Sequence, residues 1–151
     1  MTAENHPHPD SAARAYERLA DEANAYNKSA ILDALAQARV NTLTVSFDGY
    51  ADSGQIEAID AFDAENNRLL LGDRQMRLMA PRWDDLRLHA EDACLREGIE
   101  TLVYEFLEAT YMGWEDGEGS YGTFVFSIPE RTITLEYNER FIDSKSHTHT
   151  F

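Results

Sequence analysis

Val45-Ser-Phe-Asp-Gly-Tyr-Ala-Asp-Ser-Gly-Gln-Ile-Glu57 is the stretch on which the reading of this chain turns. Leading into it, Leu43, Val45 and Phe47 alternate with Thr42, Thr44, Ser46 and Asp48. That period of two is the mark of a half-buried strand, with Leu, Val and Phe inward and the Thr, Ser and Asp side chains outward. Residues 55–62 continue as a second strand, its natural hairpin partner. The Gly49–Gly54 connection between them carries more polar side-chain chemistry than a tight turn requires, which makes it a candidate working surface.

The same alternation recurs near the other end. Phe124, Phe126 and Ile128 turn inward, Pro129-Glu130 makes a turn because proline presets φ, and Ile133, Leu135 and Tyr137 return inward. Thr132, Thr134, Glu136 and Asn138 then face outward. Asp63 to Asn67 reads as a turn, residues 67–71 as a short strand, and residues 72–81 as a charged connection with Met76, Leu78 and Met79 packed beneath it.

Helical spacing governs the remainder. Asp10 or Ser11 is a good N-cap, since its side-chain oxygen accepts from an orphan backbone N–H. Tyr16, Leu19, Ala23 and Tyr26 then recur at intervals of three and four, and Ser29 caps a second apolar stripe of Ile31, Leu32, Leu35 and Ala38. This predicts helix over 11–39 with a break near Asn27. Trp83, Leu86, Ala90 and Cys94 form one row, and Leu88, Leu95, Ile99, Leu102, Phe106 and Ala109 another, which predicts a long helix beginning at Trp83. Gly98 marks either a close approach or a break in it. Residues 1–9 read as a disordered arm and 10–151 as one domain. The polar tail, 139–151, is open to adding an edge strand. The expected fold is α+β: a two-layer sandwich of an antiparallel sheet, made of two β-hairpins plus short edge strands, with two helices packed on one face.

A chain of 151 residues can bury roughly 70% of its unfolded surface, so it needs no disulfide or metal to fold. The one cysteine, Cys94, fits a reducing cytoplasm, and no apolar run approaches the ~20 residues of a membrane span. No signal peptide is visible at the start. The net charge of −15, from 28 acidic and 13 basic residues, repels phosphate backbones and disfavours direct nucleic-acid binding. It leaves three readings open: an ordinary acidic protein, a surface for a basic partner, or adaptation to salt.

Asp48, Asp52 and Glu57 lie in or beside the first hairpin, Glu115, Asp116 and Glu118 in the glycine-rich 113–122 loop, and Glu136 on the second hairpin. If the hairpins are neighbours, a subset converges with Asn138 and offers oxygen ligands for a hard cation or a general acid and base. Against this, Asp48 to Glu57 lacks the alternating ligands of an EF-hand loop. Ser53 beside Asp52 and Gly54 sits in no nucleophile elbow, and Asp-Ser-Gly serves equally as turn chemistry. His147 and His149 share a face in an extended tail and with a carboxylate could hold zinc. Trp114 and Tyr121 flank the 113–122 loop as partner anchors or as pins to the core. That loop is set among acids, the wrong polarity for phosphate. The candidate binding residues are therefore Asp48, Tyr50, Asp52, Ser53, Gln55, Glu57, Trp114, Glu115, Tyr121, Glu136 and Asn138.

Ser46 to Glu57, Gly113-Trp-Glu with Tyr121-Gly-x-Phe124, and Glu130-Arg-Thr-Ile-Thr-Leu-Glu-Tyr-Asn-Glu-Arg140 together resemble an uncharacterised bacterial domain family met in genomes, plasmids and phage-like elements. The resemblance covers about residues 30–151. Departures are Ala51, where the family tends to have Gly, and the lack of a His near Tyr111. The resemblance implies a cytoplasmic accessory protein and brings no activity with it.

The expected function is a non-enzymatic acidic accessory protein that binds a basic protein or nucleoprotein, for example an anti-defence inhibitor of anti-CRISPR-like or nucleic-acid-mimic type carried by a mobile element. No cofactor is implied, and the weight lies against an enzyme. One rival is a small metal-dependent enzyme using Asp48, Asp52, Glu57 and Glu136. Another is a self-associating scaffold with Trp114 and Tyr121 at a symmetric interface.

Overall fold

The computed structural model describes residues 9–51, 53–142 and 144–151; the side chains of residues 9 and 10 are not considered. The proposed N-terminal arm therefore lies almost wholly outside the described residues. Nine elements follow one another: α1 (Pro9–Gln37), β1 (Thr42–Tyr50), β2 (Ser53–Phe62), β3 (Arg68–Leu69), β4 (Gln75–Pro81), β5 (Leu88–Cys94), α2 (Leu95–Thr110), β6 (Ser120–Ser127) and β7 (Thr132–Glu139). The fold is α+β, as the alternating and helical segments predict.

The two predicted hairpins are β1–β2 and β6–β7, and β1 pairs antiparallel with β6, so they join into one sheet of order β3-β2-β1-β6-β7. Along β1 the burial alternates as expected: Leu43, Val45 and Phe47 are inaccessible. With Ala61, Phe124 and Phe126 they share a core with Ile31, Leu32 and Leu35 of α1 and Leu95, Ile99, Leu102, Val103 and Leu107 of α2. Each such side chain contributes about 1.5–3 kcal/mol on leaving water. A register shift between Ser46 and Phe47 leaves Glu57 of β2 without a Cα partner, because Ser46 opposes Ala58 and Phe47 opposes Ile56. This extra residue lets Ile59 and Ile56, three positions apart, both face the core side.

Four expectations are corrected. First, α1 runs unbroken through Asn27. The Asn27 side chain is 9% exposed and accepts from Met79 N at 2.7 Å while donating to Met79 O at 2.9 Å. A residue that weakens the apolar stripe is thus a strand-like partner for the β4 backbone. Second, residues 75–81 are a strand rather than a connection. Third, no helix begins at Trp83. Residues 88–94 form β5, paired residue for residue with β4 in a separate two-stranded sheet, and α2 starts only at Leu95. Cys94, placed by its spacing on a helical row, is instead the N-cap, its Sγ accepting from Glu97 N at 3.4 Å. Non-local pairing with β4 overrides a local spacing of three and four. Fourth, among the described residues the tail beyond β7 is unpaired in this structure, so the edge strand left open for it is not formed here. Gly98 marks a close approach: a Cβ there would stand 3.3 Å from Leu78 and 3.4 Å from Met76 Sδ.

Candidate functional site

The Gly49–Gly54 connection is much tighter than its polar sequence suggests. Gly49 pairs with Gly54 and Tyr50 with Ser53, so the ladder continues until only residues 51 and 52 join the strands. Ala51 takes the turn at φ 52°, and its N–H donates to Gly117 O at 3.3 Å. Asp52, one of the candidate binding residues, lies outside the described residues.

The glycines at 49 and 54 serve packing. Both face the core side, and the indole of Trp114 lies on them: a Cβ at Gly49 would come within 2.7 Å of the Trp114 ring, and one at Gly54 would overlap it. Trp114 is 5% exposed, meets Phe47 edge-on at 5.6 Å, and donates from Nε1 to Glu108 at 3.3 Å. Ser120 Oγ donates to Trp114 O at 2.6 Å and fixes the loop backbone. Of the two roles read for Trp114, anchor or pin, the structure makes it the pin. Its burial removes it from the surface available to a partner or to a symmetric interface. Glu115 follows it into half-buried ground, where among the described residues its Oε2 has no hydrogen-bond partner.

The opposite face of the sheet collects most of the remaining candidates. Directly opposed residues of an antiparallel ladder share a face. Gln55, Asp48, Tyr121 and Asn138 therefore form one row across β2, β1, β6 and β7, and Ser46, Thr123 and Glu136 the next. Thr44, Val125 and Thr134 make a third. Tyr50 (59% exposed) and Ser53 close the end beside the turn, and Tyr121 is 45% exposed. Gln55 Nε2 donates to Glu57 Oε1 at 3.1 Å.

The residue that sequence reasoning missed is Arg140. Its guanidinium grips both carboxylate oxygens of Asp48 at 2.9 Å, donates to Gly49 O at 3.1 Å, and lies 4.7 Å over the Tyr121 ring. The hydrogen bond that Arg140 donates to the Asp48 carboxylate holds the guanidinium above its usual pKa, so it stays charged. Its signal in the sequence is an arginine two places beyond Asn138 on the same face, but that signal is readable only once β1 is known to pair with β6.

The geometry separates the proposed metal ligands. Glu57 on β2 and Glu136 on β7 stand three strand spacings apart, roughly 14 Å, whereas ligands of one hard cation sit within ~2.6 Å of it. Asp48, between them, is already paired with Arg140. Among the described residues no group of three or more His, Cys, Asp or Glu could hold a metal ion, and this includes His147 and His149 in the tail. Among the described residues, too, no helix is long and apolar enough to cross a membrane.

Comparison with curated proteins and with solved structures returned no match. The comparison with protein families does: over residues 23–151 the chain belongs to a family of unknown function, DUF6878.

Proposed function

We propose that this chain is a non-enzymatic binding protein that engages a basic protein or nucleoprotein through the outer face of its five-stranded sheet. The observation that supports it is the make-up of that face: exposed Tyr50 and Tyr121, an arginine held flat on Tyr121, and rows of Thr, Ser, Asn and Gln. Tyrosine and arginine supply rigid contact area, and short polar side chains supply adaptable hydrogen bonds, which is the composition of a recognition surface. On this face Asp48 is neutralised by Arg140, while Glu136 and Glu57 add negative charge to it. The net charge of −15, spread over this face and the rest of the molecule, accelerates encounter with a basic partner, most strongly at low salt. A basic nucleic-acid channel has the matching chemistry, and an anti-defence inhibitor that occludes such a channel is the role this reading gives the chain.

The test is affinity capture at two ionic strengths with the native chain and with a Tyr121→Ala/Thr123→Arg variant of the outer face. A basic protein retained by the native chain, lost by the variant and released by salt supports the reading. Equal recovery by both chains, or binding indifferent to salt, overturns it.

A further inference from the structure

Strand β7 is an edge of the sheet: among the described residues it pairs only with β6. An open eight-residue edge invites pairing with another strand, and proteins ordinarily cover such edges. Beside it runs a groove of about 290 Å³, lined by Phe106, Phe124, Ile133 and Leu135 with Lys28 and Thr110 at its rim. The tail that follows β7 has a strand's alternation: Ser146, Thr148 and Thr150 against His147, His149 and Phe151. His149 and Phe151 lie on the same side of it, ring centroids 6.3 Å apart, and Phe151 is fully exposed.

We propose that residues 145–151, exposed and unpaired in this structure, are a strap poised to fold back on the same chain as a sixth strand, antiparallel to β7, and to cover this edge and groove. One register meets three independent requirements. It sets Lys145 opposite Glu139, a favourable cross-strand charge pair. It puts His147, His149 and Phe151 opposite Tyr137, Leu135 and Ile133, so that Phe151 enters the apolar groove, and Ser146, Thr148 and Thr150 extend the hydroxyl rows of the outer face. It leaves residues 140–144 as the connection, a five-residue loop of ordinary length between antiparallel neighbours. Sliding the strap by two residues in one direction carries Phe151 past the end of β7; sliding it in the other lengthens the loop to seven residues and removes Lys145 from Glu139. The start of the connection is already anchored, since Arg140 N donates to Gly119 O at 2.9 Å and its guanidinium holds Gly49 O. So short a tether gives the chain's own tail a high effective concentration at β7, and intramolecular closure outcompetes exchange between two copies. The strap also sets a condition on partners: whatever adds to the β7 edge must first displace it.

Hydrogen exchange on the intact chain and on a chain ending at Ser144 tests the proposal. Those β7 amides that point away from β6 are expected to exchange about tenfold faster or more in the shortened chain, with α2 and β1 unchanged. A second measurement places cysteines at the opposed positions, Thr134→Cys with Thr150→Cys, in a Cys94→Ser background. Opposed residues in a ladder stand within disulfide reach. Mild oxidation is expected to give an intramolecular bridge, while Thr132→Cys with Thr150→Cys, one diagonal away, gives markedly less. Identical exchange in both chains, bridges formed only between two chains, or equal bridging at both positions would each overturn the strap.

Discussion

The turn end of the β1–β2 hairpin and the β4–β5 hairpin are both antiparallel ribbons, yet they are held in opposite ways. The first is locked from both faces. Trp114 lies on Gly49 and Gly54 from the core side, and Arg140 clamps Asp48, Gly49 and Tyr121 from the outer side. The second rests on α1 and α2 through Leu78, Met76 and Ala93 at the core, and is tied to α1 by the paired hydrogen bonds of Asn27 with Met79 and the stack of Tyr16 on Trp83, whose rings lie 4.0 Å apart. β4 contributes Leu78 to the core, while Glu91 and Asp92 of β5 and Trp83 before it are exposed. Deep side-chain packing holds one ribbon in place. The other packs one edge on the core and leaves the middle of β5 exposed, relying for the rest on matched polar groups and a surface ring stack, which makes it the region expected to open first.

Removing the lock on the first ribbon should have the largest effect. Trp114→Ala is expected to destabilise the protein by about 3–5 kcal/mol, measured by urea unfolding. Gly54→Val in the native background forces the indole aside and costs about 1–3 kcal/mol, but much less once Trp114 is already alanine. If the two substitutions simply add, Trp114 is not what requires the glycine.

A smaller effect is expected where the second ribbon meets α1. Asn27→Leu leaves Met79 N and O without partners, at about 1–3 kcal/mol. Exchange should accelerate through β4 and β5 and stay slow in β1 and β6. Uniform acceleration would erase the contrast between the ribbons.

Next comes the stack. Trp83→Ala should cost about 0.5–1.5 kcal/mol, detectable as faster exchange in β5 and the N-terminal half of α1. A change in capture by the outer face would be unexpected, because Trp83 lies outside the five-stranded sheet.

The smallest effect is that of acid, and it acts at the β2–β3 turn and at the β4–β5 connection. Asp63 is held below the usual carboxylate range chiefly by the Asn67 backbone N–H, and Asp85 chiefly by the Arg87 guanidinium. A depressed folded pKa means stability that is present above the unfolded value of about 3.9 and lost as pH falls through the folded one. Melting temperature should therefore slip modestly below about pH 4. In Asp63→Asn or Asp85→Asn variants that slope should flatten; an unchanged slope would assign it to other carboxylates.

Much of the candidate surface was legible from alternation alone. Thr44, Ser46 and Asp48 on one strand and Thr134, Glu136 and Asn138 on another read as outward, and the ladder brings them into shared rows. Asp48 with Glu57 and Glu136 did not become a cluster, because adjacency in a list of acids carries no information on strand order. Trp114 looked equally suited to surface or core, and only the neighbouring Gly49 and Gly54, fifty or more residues away in sequence, show which.

Local sequence determined the strands whose side chains alternate strictly, the turns that connect them, α1, and the part of the long apolar row from Leu95 onward that is α2, since burial of one face imposes its period on the chain wherever that face is continuous. Tertiary structure decided the rest. Residues 83–94 carry helical spacing, yet 88–94 of them pair with β4; Asn27 stays in a helix because a strand edge needs its amide; Arg140 finds Asp48 across two strands. In each case the deciding partner is distant in sequence, and a hydrogen bond or packed ring supplied from elsewhere outweighs a preference that nearest neighbours set only weakly.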